Sequence, residues 1–211
     1  MNPHVYGVFL LPDPITASAV STITFQVKQQ FGLVSAAAFP PHATLAGSVA
    51  IPQDPEAVIA ALNPVLSGRR QFTVINGGIQ RYATAITYDI DKNSDGTQNH
   101  NLLKLAVQVN EVLTPLAVPI EATLVQPFDK DSFRAHLSLA SHELVFRPDL
   151  SSEVEEFIRA LPIVPPSEFD ARIVALYRFT APDWSGHWWE NLSWEHLRSW
   201  KLVPSNTLHP S

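Results

Sequence analysis

The chain has 211 residues, of which 45% are apolar and 16% charged, and its formal net charge is −6. This length and composition are typical of one globular domain with a full core. Proteins that hold a long phosphate backbone usually carry a basic stripe, and no run of five or six Lys and Arg occurs here. The composition therefore argues against RNA or DNA as a tightly held ligand, while a few local donors suffice for one small nucleotide.

The chain contains no cysteine, which excludes disulfides, thiolate catalysis and Cys-based zinc sites. The N-terminus lacks the basic flank and the small-residue cleavage site of a signal peptide. No apolar stretch approaches the ~20 residues that span a bilayer. We therefore expect a cytoplasmic protein that makes no contact with a membrane.

The first half of the chain alternates strand and helix signals. Residues 5–11 form a continuous apolar run, which is typical of a strand buried on both faces. Asp13-Pro14 is typical of a helix start, and an apolar stripe continues to about Gln30. A strand is predicted at 43–51, and a second cap-and-proline pair, Asp54-Pro55, begins another helix.

The second half repeats this alternation. Strands are predicted at 72–75 and 83–90, then a polar surface loop at 91–101 and a helix at 102–113. The remaining predicted elements are a strand at 121–127, a strand near residue 136, a helix that starts with a capping box at Ser152 and Glu155, a strand at 171–179 and a last strand within 184–202. This order predicts an α+β fold in a single domain, residues 1–211, made of two intimately packed lobes with a cleft between them.

One short phrase occurs twice, as FPPHATL at 39–45 and as FRAHLSL at 133–139. Histidine followed two residues later by Ser or Thr is a weak signal alone, and we attribute a third match, His209 and Ser211 in the terminal tail, to chance. The first two matches have strand contexts. Because side chains at i and i+2 share one face of a strand, His42 projects with Thr44, and His136 with Ser138.

Two imidazoles with two hydroxyls suit the cleavage of a phosphodiester without a metal ion. One neutral imidazole can take a proton from water while an imidazolium gives a proton to the leaving oxygen. The hydroxyls can hold the nonbridging phosphate oxygens. Two other interpretations stay open: the histidines are packed core residues, or they bind a metal with help from His142 or Glu143, although zinc usually has at least three protein ligands.

At these motifs the chain resembles the two-histidine (2H) phosphoesterase superfamily, whose signature is two His-x-Thr/Ser motifs in strands. The stretches YGVFLLPDP, HLSLASHEL and RIVALYRFTAPD further resemble its plant- and yeast-type cyclic phosphodiesterase branch. The resemblance implies a bilobal fold with a pseudo-two-fold arrangement of two antiparallel sheets flanked by helices, and neither metal nor cofactor. It also implies hydrolysis of 2′,3′-cyclic nucleotides or of ADP-ribose 1″,2″-cyclic phosphate to a monophosphoester.

By position, the resemblance implies that His42 and His136 are catalytic, with His136 as the base and His42 as the acid in hydrolysis. It also implies that Thr44 and Ser138 bind phosphate and that Phe133 can stack on a base. The motif departs from the family at residues 134–135, where the family often has a proline before the histidine.

Three further residues are candidates to line the substrate site, namely Phe39, Tyr6 and Arg134. The expected partner is a small nucleotide cyclic phosphate bound by a monomer. Two alternatives to a cyclic phosphodiesterase stay open. The first is an enzyme that processes RNA ends or acts as a 2′-5′ RNA ligase, because such relatives share the motifs. The second is a nucleotide-binding protein without turnover.

Overall fold

The computed structural model describes residues 4–122 and 124–205. The nine strands within these two ranges are β1 His4–Leu11, β2 Ala43–Ile51, β3 Phe72–Ile75, β4 Ile79–Tyr82, β5 Ala85–Asp89, β6 His136–Ala140, β7 Glu168–Ala171, β8 Ile173–Thr180 and β9 Ser193–Lys201. The five α-helices of this part of the chain are α1 Pro14–Phe31, α2 Pro55–Leu66, α3 His100–Leu113, α4 Glu143–Phe146 and α5 Ser151–Ala160. Within the described ranges no helix is long and apolar enough to cross a membrane. The predicted chance match at 209 and 211 lies outside the described residues.

Seven strands form one antiparallel sheet in the order β4-β5-β6-β2-β1-β8-β9, and β3 pairs with β7 in a second sheet. This confirms the predicted α+β class. The large sheet has a seam in its middle, because in the described residues the pairing of β2 with β6 is confined to Ala43 and Leu137. A four-stranded part and a three-stranded part therefore meet at the two motif strands. The division of the domain into two lobes stays a prediction.

Two strand–helix–strand units meet at this seam and pack reciprocally. In the first unit β1 leads through α1 to β2, and in the second unit β5 leads through α3 to β6. Helix α1 packs against β6 of the other unit, and α3 packs against β2. Each motif strand is thus supported by the helix of the opposite unit, so that a shift of one unit displaces both motifs.

The two faces of β1 separate the helix-covered core from the cleft. Tyr6, Val8 and Leu10 point into the large core that the helices cover, and all three are fully buried. Phe9 points to the other face, where it belongs to a smaller apolar cluster with Tyr177 and other residues of β8. This second face of the sheet carries the candidate site.

The predicted local signals explain most helix ends. Asp13 caps α1, since its carboxylate accepts a hydrogen bond from the Thr16 N–H at 2.8 Å, as expected of an N-cap. Gly32 ends the same helix with a φ of 72°, a left-handed conformation that glycine adopts without strain. Helix α2 continues through Pro64 to Leu66, because its apolar face is fully buried at Leu62 and Leu66.

The structure differs from the predicted local features in three places. No strand forms among the described residues of 121–127, and a strand not predicted, β4, forms a hairpin with β5. The capping box is wrong: α5 starts at Ser151 without a side-chain cap. Glu155 instead forms ion pairs with Arg81 at 2.7 Å and Arg159 at 2.8 Å. A longer-range partner has therefore taken the carboxylate that the local pattern assigned to the cap.

Candidate active site

The first motif holds its imidazole in one orientation. His42 follows Pro40 and Pro41 at the entry to β2, and its Nδ1 lies 2.7 Å from the Pro40 carbonyl oxygen. A carbonyl can only accept, so Nδ1 carries the hydrogen and Nε2 is the atom left to exchange a proton. The ring stacks on Phe9 with centroids 3.7 Å apart. Gly7 leaves room for the Phe9 ring, since a Cβ at position 7 would lie 2.7 Å from Phe9 Cζ.

The second motif repeats this arrangement on β6. The Nδ1 of His136 lies 2.7 Å from the Arg134 carbonyl oxygen, again two residues upstream. Its ring stacks on Tyr82, with centroids 5.7 Å apart. The substitution of the family's proline by Ala135 therefore leaves the anchor of the imidazole intact. Among the described residues, neither Nε2 atom is engaged by another protein group.

The seam between β2 and β6 brings the two motifs together. Ala43 pairs with Leu137 in an antiparallel register, and continuing that register places His42 beside Ser138 and Thr44 beside His136. Directly opposed side chains of such a pair have Cβ atoms about 5 Å apart. The pKa of His42 also reflects the proximity of the two imidazoles, because a charge on His136 contributes to lowering it.

The two hydroxyl side chains are partly exposed beside the imidazoles. Thr44 lies opposite Phe9 of β1, and Ser138 lies opposite Thr87 of β5. Within the described part of the chain, neither hydroxyl forms a hydrogen bond to the protein. Both can therefore donate to an anion that lies between the two rings.

The surroundings of the two imidazoles differ in charge. Burial against the aromatic rings lowers the pKa of His42 to about 4, and no carboxylate contributes to its charge balance. Burial also lowers the pKa of His136, but Asp89 and Asp91 oppose this effect. Asp89 lies directly opposite His136 in the pairing of β5 with β6. The neighbouring carboxylates therefore favour the imidazolium of His136, and no such group does so for His42.

The other sequence candidates lie in different places. Phe39 packs beside His42, with the two ring centroids 5.5 Å apart. Arg134 is exposed near the start of β6. Tyr6 does not reach the cleft, because it points into the helix-covered core and its hydroxyl donates to the Gln53 carbonyl at 3.2 Å. Phe133 packs on that core beside Phe128, which leaves it less free to stack than expected.

Sequence reasoning missed three residues of the site. Phe9 and Asp89 lie on the strands that flank the motif strands, and Tyr82 ends β4 with 47% of its surface exposed. None of them belongs to a motif. Phe9 and Asp89 could have been found from the sequence, because β1 and β5 each precede a motif strand in equivalent places. Neighbouring antiparallel strands align their side chains, so residues of β1 and β5 are expected beside the motifs.

A buried polar bridge connects the segment before the first motif to the segment after the second. A carboxylate oxygen of Glu143 accepts hydrogen bonds from the N–H groups of Val34 at 2.6 Å and Ser35 at 2.7 Å. The Ser35 hydroxyl donates to the other oxygen of that carboxylate and lies 3.0 Å from the Ser141 hydroxyl. Ser35 is 1% exposed. The bridge fixes the chain that leads to His42 against the end of β6.

His142 belongs to this region and not to the cleft pair. Its ring stacks on Trp189 at a centroid distance of 5.0 Å and meets the edge of Trp188 at 5.1 Å. Burial lowers its pKa to about 4. No group of three or more His, Cys, Asp or Glu side chains that could hold a metal ion occurs in the described ranges.

Comparison with solved structures identifies the fold. E. coli LigT complexed with NADP+ is 16% identical, and the match covers 96% of this chain and 99% of LigT with a TM-score of 0.52. A phosphoesterase is 16% identical over 95% of this chain and 99% of its own, with a TM-score of 0.55. The protein TT0787 of Thermus thermophilus is 16% identical over 94% and 97%, with a TM-score of 0.54. No protein-family profile and no curated protein matches the chain.

The chain thus has the fold of LigT and of a solved phosphoesterase along nearly its whole length. This shared fold agrees with the fold that the resemblance of the two motifs implies. At this identity the comparison defines the fold alone.

Proposed function

We propose that the chain is a metal-independent cyclic phosphodiesterase that opens the cyclic phosphate of a small nucleotide by acid–base catalysis from His42 and His136. One observation carries this proposal: each imidazole donates its Nδ1 hydrogen to a carbonyl two residues upstream, at 2.7 Å in both motifs. Both Nε2 atoms are therefore left for proton exchange on the cleft face of the sheet. Two unengaged hydroxyls beside them supply donors for a phosphate.

The reaction uses these groups in one concerted exchange of protons. A water oxygen attacks the phosphorus while the Nε2 of one imidazole takes a proton from that water. The bond from phosphorus to one ribose oxygen breaks, and that oxygen takes the proton from the Nε2 of the other imidazole. Thr44 and Ser138 donate hydrogen bonds to the nonbridging oxygens, where negative charge develops. The product is a phosphomonoester.

The charges around the site favour His42 as the base and His136 as the acid, the reverse of the assignment that the family resemblance implies. His42 lies among aromatic rings, which favour its neutral form, and its pKa is lowered to about 4. His136 lies opposite Asp89, whose carboxylate favours the imidazolium. A bound phosphate anion raises the pKa of both rings, and at His136 the Asp89 carboxylate acts in the same direction.

The structures of LigT are consistent with a phosphate ligand at this fold, since LigT was solved with 3′-AMP and with phosphate. Those ligands belong to LigT. For this chain they support the choice of a nucleotide phosphomonoester as the product. An RNA-end substrate is the alternative that the LigT fold favours.

A panel of cyclic phosphates tests the proposal. Wild-type protein is incubated in EDTA with 2′,3′-cyclic nucleotides and with ADP-ribose 1″,2″-cyclic phosphate in ¹⁸O-labelled water, and the products are followed by phosphorus NMR. We expect ring opening with one ¹⁸O in the new phosphomonoester, at the same rate with and without EDTA. Loss of turnover in EDTA that zinc restores would contradict the metal-independent reaction.

The same experiment separates the alternatives. An RNA with a cyclic phosphate end and a second RNA with a free 5′-hydroxyl are added as a further arm, and formation of a 2′-5′ linkage faster than hydrolysis would favour the ligase. Shifted phosphorus resonances of the bound substrates without any new product would favour a nucleotide-binding protein without turnover.

A further inference from the structure

A second cavity adjoins the end of the sheet that carries His136. Its volume is about 380 Å³, which lies within the range of small-molecule sites. Its walls come from the segment that leaves β5, the segment that enters β6 and Leu103 of α3. The two strands place Asp89 opposite His136. The cavity therefore begins within a few residues of the second motif.

Two basic side chains of this cavity form no ion pair within the described part of the chain. The Arg134 guanidinium donates to the carbonyl oxygens of Phe133 at 2.6 Å and Asp131 at 3.4 Å, which fix its position without neutralising it. Lys92 is exposed and, within the described part of the chain, forms no ion pair. Both line the cavity. A chain with a net charge of −6 thus concentrates free positive charge beside its second motif.

The acidic side chains of the cavity are already engaged. Asp91 is 5% exposed, and its carboxylate accepts hydrogen bonds from the Ala135 N–H at 3.1 Å and the Gln98 amide at 3.2 Å. Asp131 forms an ion pair with Lys130 at 2.6 Å. The three basic and two acidic side chains that line the cavity leave it one net positive charge, which favours an anion.

The loop that presents Lys92 is braced by its own hydrogen bonds. Lys92 and Gln98 form an isolated antiparallel bridge. The Asn93 N–H donates to the Thr97 carbonyl at 2.7 Å, and the Asn99 N–H donates to the Asp91 carbonyl at 2.7 Å. A braced loop loses little conformational freedom when a ligand binds, which favours affinity.

We propose that this cavity binds a second phosphate group of the substrate, with Lys92 and Arg134 as its ligands. This inference rests on the proposed function, because the cyclic phosphate must lie between the two histidines. Arg134 precedes His136 by two residues, or at most about 7 Å of extended chain, so one nucleoside can offer a phosphate to each site. The substrate class is then a cyclic phosphate whose nucleoside carries a further phosphate, such as a 5′-phosphorylated 2′,3′-cyclic nucleotide.

Calorimetric binding of two product nucleotides tests the subsite independently of turnover. Adenosine 2′-phosphate and adenosine 2′,5′-bisphosphate are titrated into wild-type protein at low ionic strength, and the ratio of their affinities is taken. We expect the bisphosphate to bind about two- to thirtyfold more tightly, the range expected for two partly exposed charge pairs. Added salt should reduce this ratio, because exposed charges are screened.

Two double variants with the same change in net charge locate the effect. Lys92→Gln with Arg134→Gln should bring the ratio to about one. Lys104→Gln with Arg147→Gln removes two exposed charges outside the cavity and should keep the wild-type ratio. Equal affinities in wild type, no binding of either nucleotide, or a preserved ratio in the first variant would overturn the proposal.

Turnover is measured separately on 2′,3′-cyclic AMP with and without a 5′-phosphate. If neither is hydrolysed while the binding ratio behaves as expected, the proposed hydrolysis fails and the anion subsite stands. If both are hydrolysed with equal kcat/KM and the ratio is one, the hydrolysis stands and the subsite fails.

Discussion

Replacing Asp89 by asparagine should lower the pKa of His136 and leave that of His42 in place. Asp89 lies directly opposite His136 in the pairing of β5 with β6. Asparagine keeps the shape of the side chain, and its amide oxygen can still accept the Asp91 N–H, which now donates to Asp89 at 2.9 Å. The substitution therefore removes the charge and preserves the local backbone.

The size of the effect follows from the separation of the two groups. Opposed side chains have Cβ atoms about 5 Å apart, and two unit charges at that distance attract by ~0.8 kcal/mol in water and ~3 kcal/mol at an effective dielectric constant of about 20. One pKa unit corresponds to about 1.4 kcal/mol. Because the His136 ring is partly exposed, we expect its pKa to fall by about one unit.

The assay is kcat/KM for a cyclic nucleotide as a function of pH. A bell-shaped profile reports the two imidazoles, with the acidic limb from His42, whose pKa is about 4, and the alkaline limb from His136. Asp89→Asn should move the alkaline limb by about one unit toward lower pH and leave the acidic limb unchanged. Glu156→Gln removes one charge from an exposed position on α5 and should move neither limb.

The maximal value of kcat/KM in this pH profile tests which imidazole is the acid and which is the base. If His136 were the base, the reactive form would carry a neutral His136 and a protonated His42. Lowering the pKa of His136 would then populate this form more, and the maximal rate would rise up to about tenfold per pKa unit. A rise of this kind, or an alkaline limb that does not move, would refute the assignment of His136 as the acid.

His42→Ala and His136→Ala should each lower kcat by about 10²–10⁴-fold with unchanged circular dichroism, and the double variant should be little worse than either; wild-type rates in either would mean that the motif is structural. Glu143→Gln should lower kcat by about tenfold or more with little change in KM, because it loosens the segment before His42. Ser35→Ala should cost less, since both backbone bonds to the Glu143 carboxylate remain, and a change in Tm alone would mean that the bridge only supports the fold. Wild-type protein should lose stability as the pH falls from about 6.5 to 4, because neutral His142 has a pKa lowered to about 4 and its protonation costs at most about 3 kcal/mol. When the free energy of unfolding is measured by denaturant titration at several pH values, His142→Phe should lose less of it than wild type between about pH 6.5 and 4. An equal loss in the two proteins would contradict this prediction.

The sequence was sufficient where the determining pattern is local. The caps of α1, the strand context of both motifs and the shared face of His42 and Thr44 follow from neighbours within a few residues. The pairing of β2 with β6 joins residues 43 and 137, and such a register depends on the packing of both units. Contacts between distant residues also explain why the capping box was predicted wrongly. The local pattern indicated that Glu155 caps a helix, but Arg81 of another element is its partner.

The two units hold their imidazoles with nearly identical anchors, so a difference in proton affinity between the two rings depends on the residues around them, including those of the flanking strands. Continuing the pairing of Leu10 with Ala43 places Leu11 of β1 beside His42, and the equivalent position of β5 is Asp89 beside His136. An apolar residue favours the neutral imidazole and a carboxylate favours the imidazolium. In the proposed reaction, this difference between equivalent strand positions favours opposite roles for the two copies of the motif.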